Sequence, residues 1–251
     1  MWAQSLELIK SVPLESEVLH ASLDRQGNIY IADANGSIER FDREGQSAFT
    51  FSADKNGTVT LLEAWQGLRT FVFYRDFQEY LFLNRFLDGP GRFRIGQDLS
   101  NYFQWATLAA DNNLWLIDQQ ELSLKKLVID LNEFIIETPF NLNLDPRNFE
   151  LTFIREYQNL LFISDRASGV LVFDNLGNYL ETLPLKNLSH FSFSDNELMG
   201  ISTAGTLTFL DIYSQKKREI RLADPSYKFT FMDKDRLFCI SKKKLDIFKV
   251  N

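Results

Sequence analysis

The chain has 251 residues, 45% of them hydrophobic and 24% charged, with 23 Phe and a net charge of −7 at pH 7. That is globular composition, ample for a sizeable core, and the acidic balance excludes the basic footprint of a duplex nucleic-acid binder or a polybasic membrane surface. No run approaches the roughly 18 apolar residues of a membrane-spanning helix.

In chain order, Met1-Trp2-Ala3-Gln4 comes first and resembles the tail of a cleaved secretory signal, with the mature chain starting near Gln4. Export to the periplasm or cell envelope is the expectation, with a cytoplasmic start as the alternative. Ser5 to Leu14 reads as one orphan strand closed by Pro13. His20 to Ala53 then holds four short strands: HASLD, NIYIADA, SIERFD and AFTFSA. Four-strand units follow over Thr58 to Ile95, Tyr102 to Leu142, Asn148 to Leu185 and Leu188 to Ala223. The last stretch, Tyr227 to Asn251, holds only three strands.

Second strands begin near Asn28, Arg69, Asn113, Leu160, Glu197 and Arg236, steps of 41, 44, 47, 37 and 39 residues. A period near 40 with four strands per unit is the spacing of propeller blades. One strand is missing at the end and one is spare at the start, so the arithmetic closes a ring. The expectation is a single all-β domain over residues 1–251. It is a six-bladed β-propeller of four-stranded antiparallel blades, the last blade completed by the N-terminal strand. Leu6, Leu8 and Ile9 are expected to be covered against Lys244 to Val250, which removes the edge an open array would expose.

Two strings carry a family resemblance: D-x-x-G-N-I-Y-I-A-D (Asp24 to Asp33) with F-D-x-x-G (Phe41 to Gly45), and L-F-I-S-D (Leu161 to Asp165) with F-D-x-x-G (Phe173 to Gly177). They resemble NHL-repeat and TolB-like six-bladed propellers, and the whole chain is similar to exported propellers of Gram-negative bacteria. Such families include protein-binding scaffolds and lactonase-like hydrolases, so the resemblance implies the fold more firmly than an activity.

Asp42, Asp130, Asp174 and Asp211 each end a third strand, where an Asp bonds its own backbone two residues on and shapes the hairpin. His20 and His190, the only histidines, fall at similar places on innermost strands. Blade six lies between their blades, so they are not expected to meet and read as structural. Cys239 sits in an apolar strand and reads as a small buried residue. No nucleophile elbow, HExxH, CxxC or P-loop is present, and no carboxylates repeat at axis-facing positions as a calcium site requires.

Blade two concentrates Arg69, Arg75, Arg85, Arg92 and Arg94 among Trp65, Phe73, Tyr74, Phe77, Tyr80 and Tyr102, the composition of an interface hot spot. The turns after the second strands are expected on the funnel face. There Arg75, Asp76, Asp118, Gln119, Asp165 and Arg166 are expected to form an arc, with Phe77 and Tyr80 as an apolar anchor. The expected function is a non-catalytic, monomeric protein-interaction or scaffold module with a protein partner, no nucleic acid and no cofactor. The alternative is a lactonase-like metal-dependent hydrolase with its site in the channel mouth.

Overall fold

A computed structural model describes residues 5–54, 56–67, 69–89, 91–96, 101–140 and 148–251; the start at Met1 to Gln4 and the end of blade three at Leu142 lie outside the described residues. Strand β1 (Leu6–Pro13) comes first. Blade one is β2 (Val18–Leu23), β3 (Ile29–Asp33), β4 (Ile38–Phe41) and β5 (Ser47–Phe51). Blade two is β6 (Val59–Glu63), β7 (Thr70–Tyr74), β8 (Glu79–Leu83) and β9 (Arg92–Arg94), with a 3-10 turn at Arg75–Phe77. Blade three is β10 (Phe103–Leu108), β11 (Leu114–Asp118), β12 (Ser123–Val128) and β13 (Glu133–Pro139). Blade four is β14 (Leu151–Tyr157), β15 (Leu160–Asp165), β16 (Gly169–Asp174) and β17 (Tyr179–Leu183). Blade five is β18 (Leu188–Ser194), β19 (Glu197–Ser202), β20 (Thr206–Asp211) and β21 (Lys217–Arg221). Blade six is β22 (Phe229–Asp233), β23 (Arg236–Ile240) and β24 (Lys244–Val250), completed on its outer side by β1. Each blade is an antiparallel meander, and the first strands of successive blades pack side by side around an axis. The chain is a six-bladed β-propeller. Among the described residues no helix is long and apolar enough to cross a membrane.

Asp42, Asp174 and Asp211 act as the sequence suggests, whereas Asp130 lies two residues past the end of β12 and makes no such bond among the described residues. Asp42 accepts from the backbone N–H groups of Glu44 and Gln46 at 3.0 and 2.8 Å, and Asp174 from those of Leu176 and Asn178 at 2.9 and 2.8 Å. Central strands are buried on both faces because each sheet is sandwiched between two neighbours, so Phe162, Phe173, Phe209 and Phe238 fill the wedges between blades. At the closing seam Phe231, Phe238 and Ile247 of blade six pack with Ile29, Ile31 and Phe41 of blade one.

Strand β1 pairs antiparallel with β24 from Leu6 opposite Val250 to Pro13 opposite Lys244. The expected burial of Leu8 and Ile9 is corrected: they are 54% and 50% exposed. A bulge between Leu8 and Lys10 switches which face the even-numbered residues take. Leu6 therefore packs toward blade five, in a cluster with Met199 and Leu207, while Val12 packs toward blade one, in a cluster with Ile31 and Phe41.

Similar bulges interrupt the innermost strands near their starts: between Val18 and His20, Val59 and Leu61, Phe103 and Trp105, and Leu151 and Phe153, with an irregularity between Leu188 and Phe191 in β18. Bulges bend a strand and re-aim its side chains, and His20 and Phe153, which follow two of them, meet each other and His190 near the axis.

Candidate functional site

A meander reverses at every turn, so turns after first and third strands open on one face of the ring, and turns after second strands on the other. The channel is closed part-way by rings from four blades. His20 lies 5.7 Å from His190, 5.6 Å from Phe153 across the axis and 5.6 Å from Phe229, and Phe153 lies 4.4 Å from His190, all between ring centres. The expectation that the two histidines stay apart is thereby corrected: first strands converge so closely in a six-blade ring that one intervening blade does not separate them. Burial lowers the His20 pKa to about 3 and that of His190 well below its ordinary value, so both are neutral and hydrophobically enclosed.

Beyond this plug, on the face of the first-strand turns, the channel opens into a cavity of about 530 Å³. Its floor carries Arg155, buried in the middle of β14, and its wall carries Trp65, just past the end of β6. The Arg155 guanidinium carbon stands 5.3 Å from the centre of the Trp65 ring, and Arg25, exposed at the rim, approaches the same ring at 5.7 Å. Tyr157 stacks on Phe193 at 4.2 Å and donates its hydroxyl to the Asp195 carbonyl at 2.9 Å, which fixes the opposite wall. Lys234 and Asp233 contribute to the rim, where Asp233 is held by Arg43 at 2.7 Å.

Two charged residues of the innermost strands tie blade three to its neighbours. Glu63 accepts from the Thr107 hydroxyl at 2.9 Å and the Leu108 N–H at 3.1 Å, and its carboxylate stands 3.8 Å from Arg155 Nε. Burial outweighs that guanidinium and raises its pKa to about 7. Glu156 accepts from the Trp115 indole at 2.6 Å and the Ala110 N–H at 3.0 Å. Among the described residues Arg155 has the long contact to Glu63 and the face of Trp65 to offset its desolvation: its Nε is buried without a hydrogen-bond partner, as is the Trp65 indole nitrogen.

The expected arc lies on the other face. Asp76 and Gln119 reach the surface, with Arg75, Phe77 and Arg166 half-buried. The Asp76 carboxylate, however, accepts from Thr58 N–H at 2.9 Å, and Arg166 pairs with Glu150 at 3.3 Å. Tyr80, Asp118 and Asp165 are buried, which corrects their placement on a presented surface. Tyr80 stacks beneath Phe93 at 5.5 Å. Asp118 meets Lys125 at 3.2 Å and Asn101, and Asp165 accepts from Glu150 and Ser168 N–H, both at 2.7 Å. Much of the remaining blade-two cluster is structural: Arg92 lies over Tyr74 at 4.3 Å while pairing with Asp54 at 2.7 Å, and Arg69 lies over Phe82 at 4.3 Å. Trp65 is the member that reaches the cavity. Sequence reasoning passed over Arg155, Glu63 and Glu156, although charges inside the strands LTFIREY and VTLLE are a signal of buried polar function.

Among the described residues no three or more His, Cys, Asp or Glu side chains are grouped to hold a metal ion. No protein-family model matches the chain, and comparison with curated proteins returns no significant match. Solved structures superpose on nearly the whole ring. Virginiamycin B lyase from Staphylococcus aureus is similar with a TM-score of 0.68 at 10% identity, over 98% of this chain and 100% of that one. The WD40 domain of Neurospora crassa Pan2 gives 0.67 at 8% identity, over 99% and 96%. A streptogramin B lyase gives 0.63 at 15% identity, over 99% and 98%. Identities this low show the fold alone, and the neighbours include enzymes as well as a WD40 domain. The NHL-like strings stay a resemblance.

Proposed function

We propose that the chain is a non-catalytic protein-interaction module of the bacterial cell envelope, which takes a projecting segment of its partner into the open end of the channel. One observation carries this reading: two side chains that line the cavity, Arg155 and Trp65, keep a buried nitrogen donor without a partner, whereas both histidines and Glu63 are already engaged elsewhere. His20 and His190 are locked in the aromatic plug, and the Glu63 carboxylate is engaged by blade three. A mouth about 530 Å³ in size with aromatic walls and a mixed-charge rim suits an inserted loop or chain end. The six-bladed ring supports it as a rigid frame, because inserted groups lose least when the receiving side chains are already fixed.

The test is site-specific photo-cross-linking in cells, with the reactive group placed at Lys234 on the open mouth or at Gln119 on the opposite face. Protein-sized adducts from the Lys234 position, in an envelope fraction, are the expected result. Adducts from Gln119 alone would move the interface to the other face. An absence of adducts from both positions, or recovery of the protein in the cytoplasm only, contradicts the reading.

A further inference from the structure

The cavity has chemistry of its own. Arg155 is 6% exposed, sits in the middle of an innermost strand, and has no hydrogen bond from Nε to any described residue. Its one ion pair among the described residues, to Glu63, is 3.8 Å long, and both Glu63 oxygens already accept bonds from Thr107 and Leu108. A guanidinium that deep costs several kcal/mol in desolvation unless donors are matched, and a planar fork is matched best by two coplanar oxygens. The Trp65 indole N–H, also buried and unpartnered, belongs to the ring beside that fork, and Arg25 covers the same ring from the rim. Tyr157, Phe193 and Phe231 supply apolar surface around them.

We propose that the cavity is a carboxylate-binding site, in which Arg155 and Trp65 hold the carboxylate and the aromatic walls take the apolar body that carries it. A monoanion fits better than a phosphate dianion. Arg155, Arg25 and Lys234 are answered by Glu63 beside the floor and by Asp24, Asp195 and Asp233 around the mouth, so a second negative charge meets repulsion. Resting on the docking reading above, the natural carboxylate belongs to the inserted segment, either its C-terminus or an acidic side chain.

Three small probes separate these sources: N-acetylphenylalanine, N-acetylphenylalanine amide, and N-acetylglutamic acid with its α-carboxylate amidated. Titration is followed by calorimetry and by the Trp65 indole resonance. The free acid is expected to bind at least tenfold more tightly than its amide, and binding of the glutamic derivative instead assigns the side-chain source. Trp65→Phe keeps the ring and removes one donor, and a loss of about threefold to tenfold is expected. Arg155→Gln combined with Glu63→Gln avoids leaving a lone buried charge, and in that folded variant the acid and amide should bind alike. Equal binding of acid and amide by the parent protein, or no binding of any probe, overturns the site. Should cross-links from Lys234 persist in the double variant while the acid fails to bind, the carboxylate assignment alone falls. If the acid binds but no protein is ever cross-linked, the carboxylate site stands and protein docking falls.

Discussion

His20 shows how a single side chain records its surroundings. The plug removes it from water, leaves its Nδ1 without a hydrogen-bond partner, and depresses its pKa from 6.5 to about 3, burial being the leading cause. A depressed folded-state pKa gives stability that is complete above 6.5 and lost as pH falls toward 3, because the unfolded chain takes up the proton first. By pH 5 this amounts to about 2 kcal/mol for one such histidine. His20→Phe, which fills the same space without a titrating group, is expected to lose about that much less stability than the parent between pH 7 and pH 5. Denaturant melts at the two pH values check this, and equal losses in both proteins would show that His20 is not held neutral. The hairpin role of Asp42 and Asp174 was legible in the sequence because an Asp–backbone turn is local. The burial of Tyr80, Asp118 and Asp165 was not, since two-period alternation cannot assign an outside to strands covered on both faces.

At the scale of elements, strands were easy to find and their joints were not. Short apolar runs and Gly-containing turns locate the meanders, whereas the bulges of the innermost strands depend on how six strands crowd one axis. The same crowding explains the bonds that cross the seams. Ser22 accepts from Ala64 N–H at 3.0 Å between blades one and two, Glu63 and Glu156 clasp the two sides of blade three, and Thr152 donates to the Leu188 carbonyl at 2.8 Å between blades four and five. Ser192 donates to the Thr230 carbonyl at 2.7 Å between blades five and six. First strands of neighbouring blades do not share a ladder, so side chains make these links instead. Glu156→Ala leaves the buried Trp115 indole N–H without its acceptor, while the part-buried Ala110 N–H can turn to water, and is expected to cost about 1–3 kcal/mol. A double-mutant cycle with Trp115→Phe should return a coupling energy of about 1 kcal/mol or more. Additive effects of the two substitutions would place the seam's strength elsewhere.

For the whole molecule, the count of strands foretold both the ring and its latch, because a missing last strand and a spare first one have only each other to pair with. Removing residues 1–12 deletes most of that outer strand and uncovers the free edge of β24. Leu6 and Val12 reach the core and partly cover it, where full coverage of such a side chain contributes about 1.5–3 kcal/mol. The ladder with β24 is lost as well. The truncated protein is expected to self-associate or to lose its single cooperative melting transition, as read by light scattering and calorimetry. A monomer that melts like the parent would mean that the ring stands without its latch.

The latch also sets a timetable. Leu6 finds its partner at Val250, and the Asn251 N–H reaches the Ser5 carbonyl at 3.1 Å, so the strand of the ring that is made first is among the last to be paired. At roughly 5–20 residues per second it waits more than ten seconds while five blades are made behind it. Contacts so far apart along the chain are slow to close, and throughout that interval Leu8 and Ile9 lie on a bare strand, beside water as they are in the finished ring. Glu7 and Lys10 interrupt its apolar residues with charge, the device by which flanking charges oppose association of an exposed strand.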